Sequence, residues 1–421
     1  MRRIPPRACL ILHRVTRVRA GVEGAHVSVV ADVFRDHWHK CKDELQRRLP
    51  GPVFAAACEI IPRVLRCKTE ASGFATLRCA CGHTEHVCFT CKARFCPVCG
   101  AANAARGAEA AKSRLLNVGH RHMVFTTPEE LRPLFFEDRR LLKLLADSAA
   151  QALLEVVDLR CKARRLLPGI MCTVQTFGRA LNFHPHVHVL VTEGGLQGER
   201  LWQPVHHFPA LSVCRRFQHH LLSGLRTRFQ GNPEVLQLIE RCFEQYQGFR
   251  VNVMPRYQNA KMAAAYCCRY TGRPPISESR IVGYDGEQVT YWYDDYRTKE
   301  RVQVTVSAGE FLFLLLQHLP PKHDKTVRYY GLYARRVRRQ LFGVVERVSK
   351  YDYAVPKGGS RVLRWRDRLI AMFDRDPHRC PECGAIMELV AWHPPPRRAN
   401  GRKNQEKAPA APDGQLSLCF V

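Results

Sequence analysis

The chain has 421 residues, of which 46% are hydrophobic, so it is long enough for one sizeable core and for about two to four domains. Its 66 Lys and Arg residues outnumber 38 Asp and Glu residues, and the formal charge of +28 favours a polyanionic partner, with nucleic acid first. The apolar runs are shorter than the roughly 18 residues that a membrane span needs. The early apolar stretch is also too short to be the apolar core of a secretion signal, so we expect a cytoplasmic protein. The 19 cysteines cluster with histidines, which in a reducing compartment indicates metal binding.

Antiparallel strands with helices between and after them predict an α+β fold. The cysteine-rich stretch runs from Cys58 to Cys99, and the region after it includes two strands, 169–177 and 184–192, that form a hairpin. Strands are also predicted at 122–127, 249–254, 280–284, 288–294 and 301–306. Helices are predicted at 27–49, 101–116, 131–144, 209–229, 233–246, 258–271, 308–317 and 334–347.

The strand at 184–192 carries a row of histidines. Side chains alternate across a strand, so His184, His186 and His188 project to one face while Val187 and Val189 point to the opposite core. Imidazoles in such a row are suited to a divalent transition ion. Gln175, on the preceding strand of the hairpin, is the candidate for an additional ligand, and Glu193 and His122 are alternatives.

A tyrosine pair lies in the helix predicted at 258–271. Tyr266 and Tyr270 are four residues apart and therefore lie on the same helix face, so both hydroxyls can reach one reaction centre in turn. Arg269 and Arg273 supply positive charge nearby. A phenol becomes an effective nucleophile only where charge or metal stabilises the phenolate that develops.

The cysteine-rich stretch predicts structural zinc. It offers more ligands than one tetrahedral ion requires, so either one zinc takes Cys96 and Cys99 with two earlier cysteines, or two ions share the stretch. A further pair, Cys380 and Cys383, is either half of a zinc ribbon completed by His378, His393 or Cys419, or a plain turn with two thiols. The candidate ligands in the first stretch are Cys79, Cys81, Cys88, Cys91, Cys96 and Cys99, with His83 and His86 beside them.

A basic, aromatic segment from Arg328 to Arg339 could bind phosphates and stack on bases, or form an ordinary solvated helix face. Its candidate DNA-binding residues are Arg328, Arg335 and Arg336.

Taken together, these motifs resemble the HUH endonuclease superfamily, and closely resemble its two-tyrosine branch of transposases of rolling-circle insertion sequences. The resemblance covers most of the chain. Five ordered blocks carry it: Cys67-Lys-Thr, Phe89 to Gly100, Leu181-Asn-Phe-His-Pro-His-Val-His188, Tyr266 to Ile281 and Val327-Arg-Tyr-Tyr-Gly-Leu-Tyr333. The first cysteine knuckle departs from the family pattern Cys-x-x-Cys-Gly, because this chain has one residue fewer there.

The resemblance implies a five-stranded antiparallel sheet flanked by helices, with the His-x-His motif on a central strand, the tyrosine helix beside it and a small N-terminal zinc module. It implies that His186 and His188 hold Mg²⁺ or Mn²⁺, and that Tyr266 and Tyr270 attack single-stranded DNA at hairpin-bearing element ends through a 5′-phosphotyrosine. Two other functions are considered: a rolling-circle replication initiator or relaxase, and a zinc-dependent DNA-binding regulator without catalysis.

These expectations divide the chain into five parts. They are a disordered basic arm (1–25), a zinc-binding domain (26–116), a catalytic domain (117–350), an extension with the second knuckle (351–392) and a disordered tail (393–421).

Overall fold

The structure is a computed structural model that describes residues 28–93, 96, 99–100, 103, 107, 114–160, 166–198, 201–258, 262–263, 274–348, 370, 376 and 378–395. The longer helices in these residues are α1 (Val29–Arg48), α2 (Gly51–Leu65), α3 (Arg132–Glu137), α4 (Leu141–Arg160), α5 (Ala210–Arg228), α6 (Pro233–Gln245), α7 (Ala308–Leu316) and α8 (Arg335–Val348). The strands are β1 (Phe74–Arg78), β2 (Thr84–Cys88), β3 (His120–Thr126), β4 (Leu166–Leu167), β5 (Gly169–Phe177), β6 (Phe183–Thr192), β7 (Gly194–Gln197), β8 (Leu201–Pro204), β9 (Val251–Tyr257), β10 (Ile281–Tyr284), β11 (Gln288–Asp294), β12 (Arg301–Ser307), β13 (Val327–Gly331) and β14 (Glu388–His393).

A five-stranded antiparallel sheet in the order β13-β5-β6-β3-β9 forms the centre of the molecule, so the predicted α+β class and sheet are confirmed. The predicted hairpin is β5 and β6, and the histidine-bearing β6 is the middle strand. Residues directly opposite each other in a sheet share a face. Gln175 lies opposite His186, and Val124 lies opposite His188, so these four residues share one face.

Helices cover the other face of this sheet and bury its main core. Val187, Val189 and Phe125 point to this face and are fully buried. Helix α4 is predominantly apolar on the covered side, with buried residues four positions apart at Leu145, Ala149, Leu153 and Val157. Burial of each large apolar side chain contributes roughly 1.5–3 kcal/mol, so this covered face fixes the register of β6 and with it the positions of the histidines.

A second core joins the N-terminal helices to a three-stranded sheet, β10-β11-β12. Phe34 and Trp38 of α1 belong to the same buried cluster as Tyr291 of β11 and Phe311 of α7. Ser28 caps α1 by accepting a hydrogen bond from the Ala31 amide at 3.4 Å. This core includes residues on both sides of position 116, where the sequence places a domain boundary.

A third sheet joins the two ends of the described chain. Strand β14 pairs antiparallel with β1, which pairs with β2, so residues 388–393 lie beside the cysteine-rich N-terminal segment. A small sheet in the order β4-β7-β8 follows the central hairpin. Among the described helices, none is both long and apolar enough to cross a membrane.

Candidate functional site

Three imidazoles form a connected row on the face of the central sheet that is not covered by helices α4, α5 and α6. The Nε2 atoms of His186 and His188 are 3.2 Å apart, and Nδ1 of His188 is 3.1 Å from Nε2 of His122 on β3. His122 and His188 are stacked, with ring centroids 5.4 Å apart. The predicted His-x-His pair is thus brought together, and His122 lies beside His188.

Hydrogen bonding fixes the tautomer of His186. Its Nδ1 is 2.7 Å from the backbone oxygen of His184, and a carbonyl oxygen only accepts, so Nδ1 carries the proton and Nε2 has a lone pair directed towards His188. Burial lowers the pKa of His186 and of His188, and it lowers the pKa of His122 to about 4. The rings are therefore neutral near pH 7, as metal ligands must be.

The other candidate ligands differ in whether they face this pair or are paired with other residues. Gln175 is buried and stands opposite His186 on the neighbouring strand. The Nε2 atom of His184 is buried without a hydrogen-bond partner among the described residues. Glu193 forms ion pairs with Arg121, at 2.6 Å, and with Arg256. Gln175 and His184 therefore lie on the histidine face beside the pair, whereas the Glu193 carboxylate forms ion pairs with two arginines.

Residues 262–263 of the helix predicted to carry the tyrosines pack on the same face of the sheet. Met262 and Ala263 are helical, and Ala263 is fully buried in a cluster with Met171 and Leu190, which belong to the histidine face. Leu190 is two residues beyond His188 on β6, so Ala263 packs close to the imidazole row. Tyr266, Tyr270, Arg269 and Arg273 lie outside the described residues.

Tyr333 supports the adjacent part of this face. Its hydroxyl is 2.7 Å from Nε2 of His120 and accepts a hydrogen bond from the Leu116 amide at 3.1 Å. A Cβ at Gly169 would lie 2.7 Å from the Tyr333 ring, so the backbone of β5 has room for this ring only because residue 169 is glycine. The Tyr-Tyr-Gly-Leu-Tyr block thus has a packing role that its sequence did not reveal.

One arginine contacts the edge strand β13 on the histidine side, and two more follow it in the sequence at the start of α8. The Arg114 guanidinium lies 4.6 Å from the centre of the Tyr329 ring, a cation–π contact. Arg335 and Arg336 are exposed at the start of α8. Arg328, which the sequence groups with them, pairs with Cys172 and so points to the helix-covered face. Strand alternation explains this difference, because neighbouring side chains point to opposite faces. Tyr329 points to the histidine face, so Arg328 points to the helix-covered face.

Four cysteine sulfurs form a compact group at the end of α2. They belong to Cys67, Cys91, Cys96 and Cys99, and all lie within 4.8 Å of one another. The Sγ–Sγ distances are 3.6 Å for Cys67–Cys99, 3.5 Å for Cys91–Cys99 and 3.8 Å for Cys96–Cys67. A tetrahedral zinc with bonds of about 2.3 Å places its sulfurs about 3.8 Å apart, so the group has the dimensions of a zinc site.

The sequence identified part of this ligand set. Cys91, Cys96 and Cys99 are grouped as predicted, but the fourth member is Cys67, which precedes the predicted ligands. Cys88 ends β2 opposite Phe74 and belongs to neither described cysteine group. Cys79 and Cys81 lie in a second group, with Cys380 and Cys383. Spacing alone could not show the second group, because its cysteines come together only through the pairing of the distant strands β1 and β14.

Replacement of Cys99 by serine should remove zinc from the first group. Structural zinc supplies roughly 10 kcal/mol or more of folding free energy in small zinc modules, so we expect a melting temperature lower by about 5 °C or more. Metal analysis and calorimetry of Cys99→Ser check this, with Cys88→Ser as the matched control that should retain the wild-type zinc content. A Cys99→Ser protein with unchanged zinc and melting curve would contradict the assignment.

Buried neutral histidines predict a loss of stability in mild acid. Burial lowers the pKa of His120 to about 4 and that of His318 to about 3, whereas an unfolded histidine has a pKa of about 6.5. Between these values the unfolded chain binds more protons than the folded one, so the free energy of unfolding falls as the pH drops from about 6.5 to 4.

Denaturant titrations at several pH values measure this fall. His318→Gln should reduce it, and replacement of the exposed His39 by glutamine should leave it unchanged. A free energy of unfolding that stays constant over this range would show that these rings are not held neutral by the fold.

Comparisons with known proteins identify the family. Residues 33–127 match the family model "Transposase zinc-binding domain", and residues 169–340 match the family model "Putative transposase". The chain is 32% identical over 350 residues to the transposase for insertion sequence element IS801 of Pseudomonas savastanoi pv. phaseolicola, with 79% of this chain and 83% of that protein covered.

A second relative, "Putative transposase y4qJ" of Sinorhizobium fredii (strain NBRC 101917 / NGR234), is 26% identical over 372 residues, which cover 84% of this chain and 92% of that protein. No solved structure matches the chain. The two matched models together define a transposase with a zinc-binding domain. The chain belongs to the family of insertion-sequence transposases that includes the IS801 protein. The zinc-domain match and the sulfur geometry together support a structural zinc ion at the first cysteine group.

Proposed function

We propose that this transposase acts in the cytoplasm on single-stranded DNA by tyrosine transesterification, in the manner of rolling-circle elements. The observation that carries the proposal is the pair of Nε2 atoms of His186 and His188, 3.2 Å apart, on the sheet face against which the helix at Met262 and Ala263 packs. A cation held by this pair would lie on the same face as the expected nucleophile, which supports the proposal.

The donor set fits a divalent cation. Both Nε2 atoms can direct a lone pair to one point, since Nδ1 of His186 donates to the His184 carbonyl and Nδ1 of His188 can donate to His122. Gln175, opposite His186 on β5, would add an amide oxygen. Mn²⁺ suits imidazole nitrogens, and Mg²⁺ is the more abundant alternative. When bound, the ion would supply a Lewis acid for the phosphate oxygens.

The chain's own residues account for the remaining chemistry. The sequence predicts that the helix continues to residue 271, which puts Tyr266 about 4.5 Å and Tyr270 about 10.5 Å beyond Ala263 along the axis. A tyrosine Oη attacks phosphorus, the Oη–P bond forms and the P–O3′ bond breaks. The phenol loses its proton, the leaving 3′ oxygen gains one, and the 5′ end of the DNA stays on tyrosine. A second tyrosine allows a second cut before the first strand is released.

Arginines at the rim of this face would hold the DNA strand. Arg114 and Tyr329 form a stacked cation–aromatic pair, and Arg335 and Arg336 extend the positive surface along the first turn of α8. Phosphates bind to such charges without regard to sequence, and bases stack on exposed rings. Arg269 and Arg273 belong to this interface in the proposal, by their place in the tyrosine motif.

Incubation of the full-length protein with end-labelled single-stranded oligonucleotides carrying hairpin element ends and Mn²⁺ tests the proposal. We expect a covalent protein–DNA adduct that resists boiling in detergent and disappears on proteinase digestion. Addition of a second oligonucleotide should give a joined product. Joining is expected of a strand transferase, whereas nicking alone gives no joined product. DNA binding without any adduct would support the non-catalytic regulator instead.

His122 should act as a positioning residue through its contact with His188. The change His122→Phe keeps a planar ring but removes the nitrogen that faces Nδ1 of His188, so we expect Mn²⁺ affinity to fall by about 10- to 100-fold. Electron paramagnetic resonance of free Mn²⁺ measures this without any cleavage assay. The exposed His207→Phe is the control, and equal affinity in His122→Phe and wild type would refute the role.

A further inference from the structure

Two cysteine knuckles from opposite ends of the chain meet at one end of the β14-β1-β2 sheet. Cys79 and Cys81 directly follow β1, and Cys380 and Cys383 precede β14. Because β1 and β14 are antiparallel, with Arg78 opposite Glu388, the residues after one strand and before the other lie at the same end. The pairing therefore brings together thiols that are about 300 residues apart in sequence, 299 for Cys81 and Cys380.

The spacing of these sulfurs matches a metal site. Sγ of Cys79 is 3.4 Å from Sγ of Cys383, and Sγ of Cys81 is 3.7 Å from Sγ of Cys380. All four lie within 4.8 Å of one another. These distances are far longer than a disulfide bond of about 2.05 Å and close to the edge of a zinc tetrathiolate, about 3.8 Å.

The two knuckles are closed by corresponding hydrogen bonds, although the first turn is one residue shorter than the second. The Gly82 amide donates to the Cys79 carbonyl at 3.0 Å, and the Gly384 amide donates to the Cys380 carbonyl at 2.9 Å. Both glycines have positive φ, 92° and 73°, which other residues rarely adopt. In each knuckle the first cysteine amide also donates across the turn, to His83 and to Ala385 respectively. The shorter first knuckle therefore presents its thiols as the second one does.

We propose that Cys79, Cys81, Cys380 and Cys383 bind a second structural zinc that fastens the C-terminal segment to the N-terminal zinc module. The matched zinc-domain model ends at residue 127, so it contains only half of this site. Apolar packing here is small: Leu77 and Met387 are buried beside Cys79 and Cys380, but Val390 and Trp392 of β14 are 50% and 44% exposed. Closure of so long a loop costs entropy that metal–thiolate bonding can offset.

This inference does not depend on the proposed DNA chemistry. It concerns how the chain is held together, and its test is a count of metal ions. Reduced, full-length protein should contain two zinc ions, measured by plasma mass spectrometry. The double variant Cys380→Ser with Cys383→Ser should contain one, and so should Cys81→Ser.

The decisive variant combines Cys81→Ser with Cys383→Ser. Because the proposal gives these two residues one shared ion, this variant should lose one of the two zinc ions and keep the other. If the two residues belonged to different zinc sites, the variant should lose both ions. Cys88→Ser is the matched control and should contain two. A single zinc in the wild type, or two in the Cys380→Ser with Cys383→Ser variant, would overturn the proposal.

A milder variant guards against misfolding as the cause of zinc loss. Cys383→His keeps a metal ligand, so the protein reconstituted with Co²⁺ should bind two ions, and its visible d–d absorption should shift to shorter wavelength as one sulfur becomes nitrogen. Limited proteolysis should release the C-terminal segment faster from the double serine variant than from Cys383→His. An unshifted spectrum with two bound ions would show that Cys383 is not a ligand.

Discussion

Replacement of both Tyr266 and Tyr270 by phenylalanine is expected to abolish the covalent DNA adduct completely. The adduct requires a hydroxyl that can displace the 3′ oxygen, and the proposal assigns that role to this pair alone. Each single change should impair transposition while leaving some adduct, since the second tyrosine is on the same helix face. Denaturing gels of protein mixed with labelled single-stranded DNA and Mn²⁺ measure the result.

Tyr296 provides the matched control for this experiment. It is 50% exposed and a hydrogen bond from Arg297 lowers its pKa, so its phenol is accessible to DNA but is not part of the proposed site. It lies in the turn after β11, outside the helix predicted to carry Tyr266 and Tyr270. Tyr296→Phe should form the adduct at the wild-type rate. Adduct formation by the Tyr266→Phe, Tyr270→Phe double variant would refute the assignment of the nucleophiles.

Replacement of His186 or His188 by alanine should lower the rate of metal-dependent cleavage by at least about 100-fold, because a bound ion contributes several kcal/mol to stabilising charge at the phosphate. DNA affinity should stay within about a factor of three of wild type, since Lys and Arg contacts to phosphates supply most of it. Both proteins should bind DNA much more weakly as the salt concentration rises.

Single-turnover cleavage and filter binding, run side by side, separate these two effects. His219→Ala changes an exposed histidine on α5, within the helices of the covered face, and should behave as wild type in both assays. The assignment of His186 and His188 as ligands fails if either alanine variant cleaves at the wild-type rate in Mn²⁺ or Mg²⁺.

Alternation and helical periodicity were sufficient to predict most of the central domain. The strands at 169–177 and 184–192 and the helices at 209–229 and 233–246 occur within one or two residues of their predicted ends. The two helices and the strand at 184–192 have one more deeply buried side, so their pattern of apolar residues records which side meets the core, whereas the strand at 169–177 is buried on both faces and is marked by its apolar run. The histidine face follows from the same rule, because burial of Val187 and Val189 leaves His186 and His188 on the other side.

Features that depend on distant partners could not be predicted in this way. Strand β14 is short and largely exposed, and only its pairing with β1 makes it a strand. Cys67 follows the end of α2, far from the Cys-x-x-Cys pattern that marks the other ligands, and its grouping depends on how α2 packs on that loop. The charge of Arg328 predicts a DNA-binding residue, but the pairing of β13 with β5 turns its side chain to the covered face.

Mass-spectrometric mapping of the covalent adduct tests the central proposal most directly. Wild-type protein is incubated with single-stranded DNA and Mn²⁺, digested with nuclease and protease, and searched for a peptide that carries a residual nucleotide. The proposal predicts the modification on Tyr266 or Tyr270, linked through a 5′ phosphate, and its loss in His186→Ala. An adduct on another residue, or cleavage that leaves no adduct, would contradict tyrosine transesterification at the imidazole row.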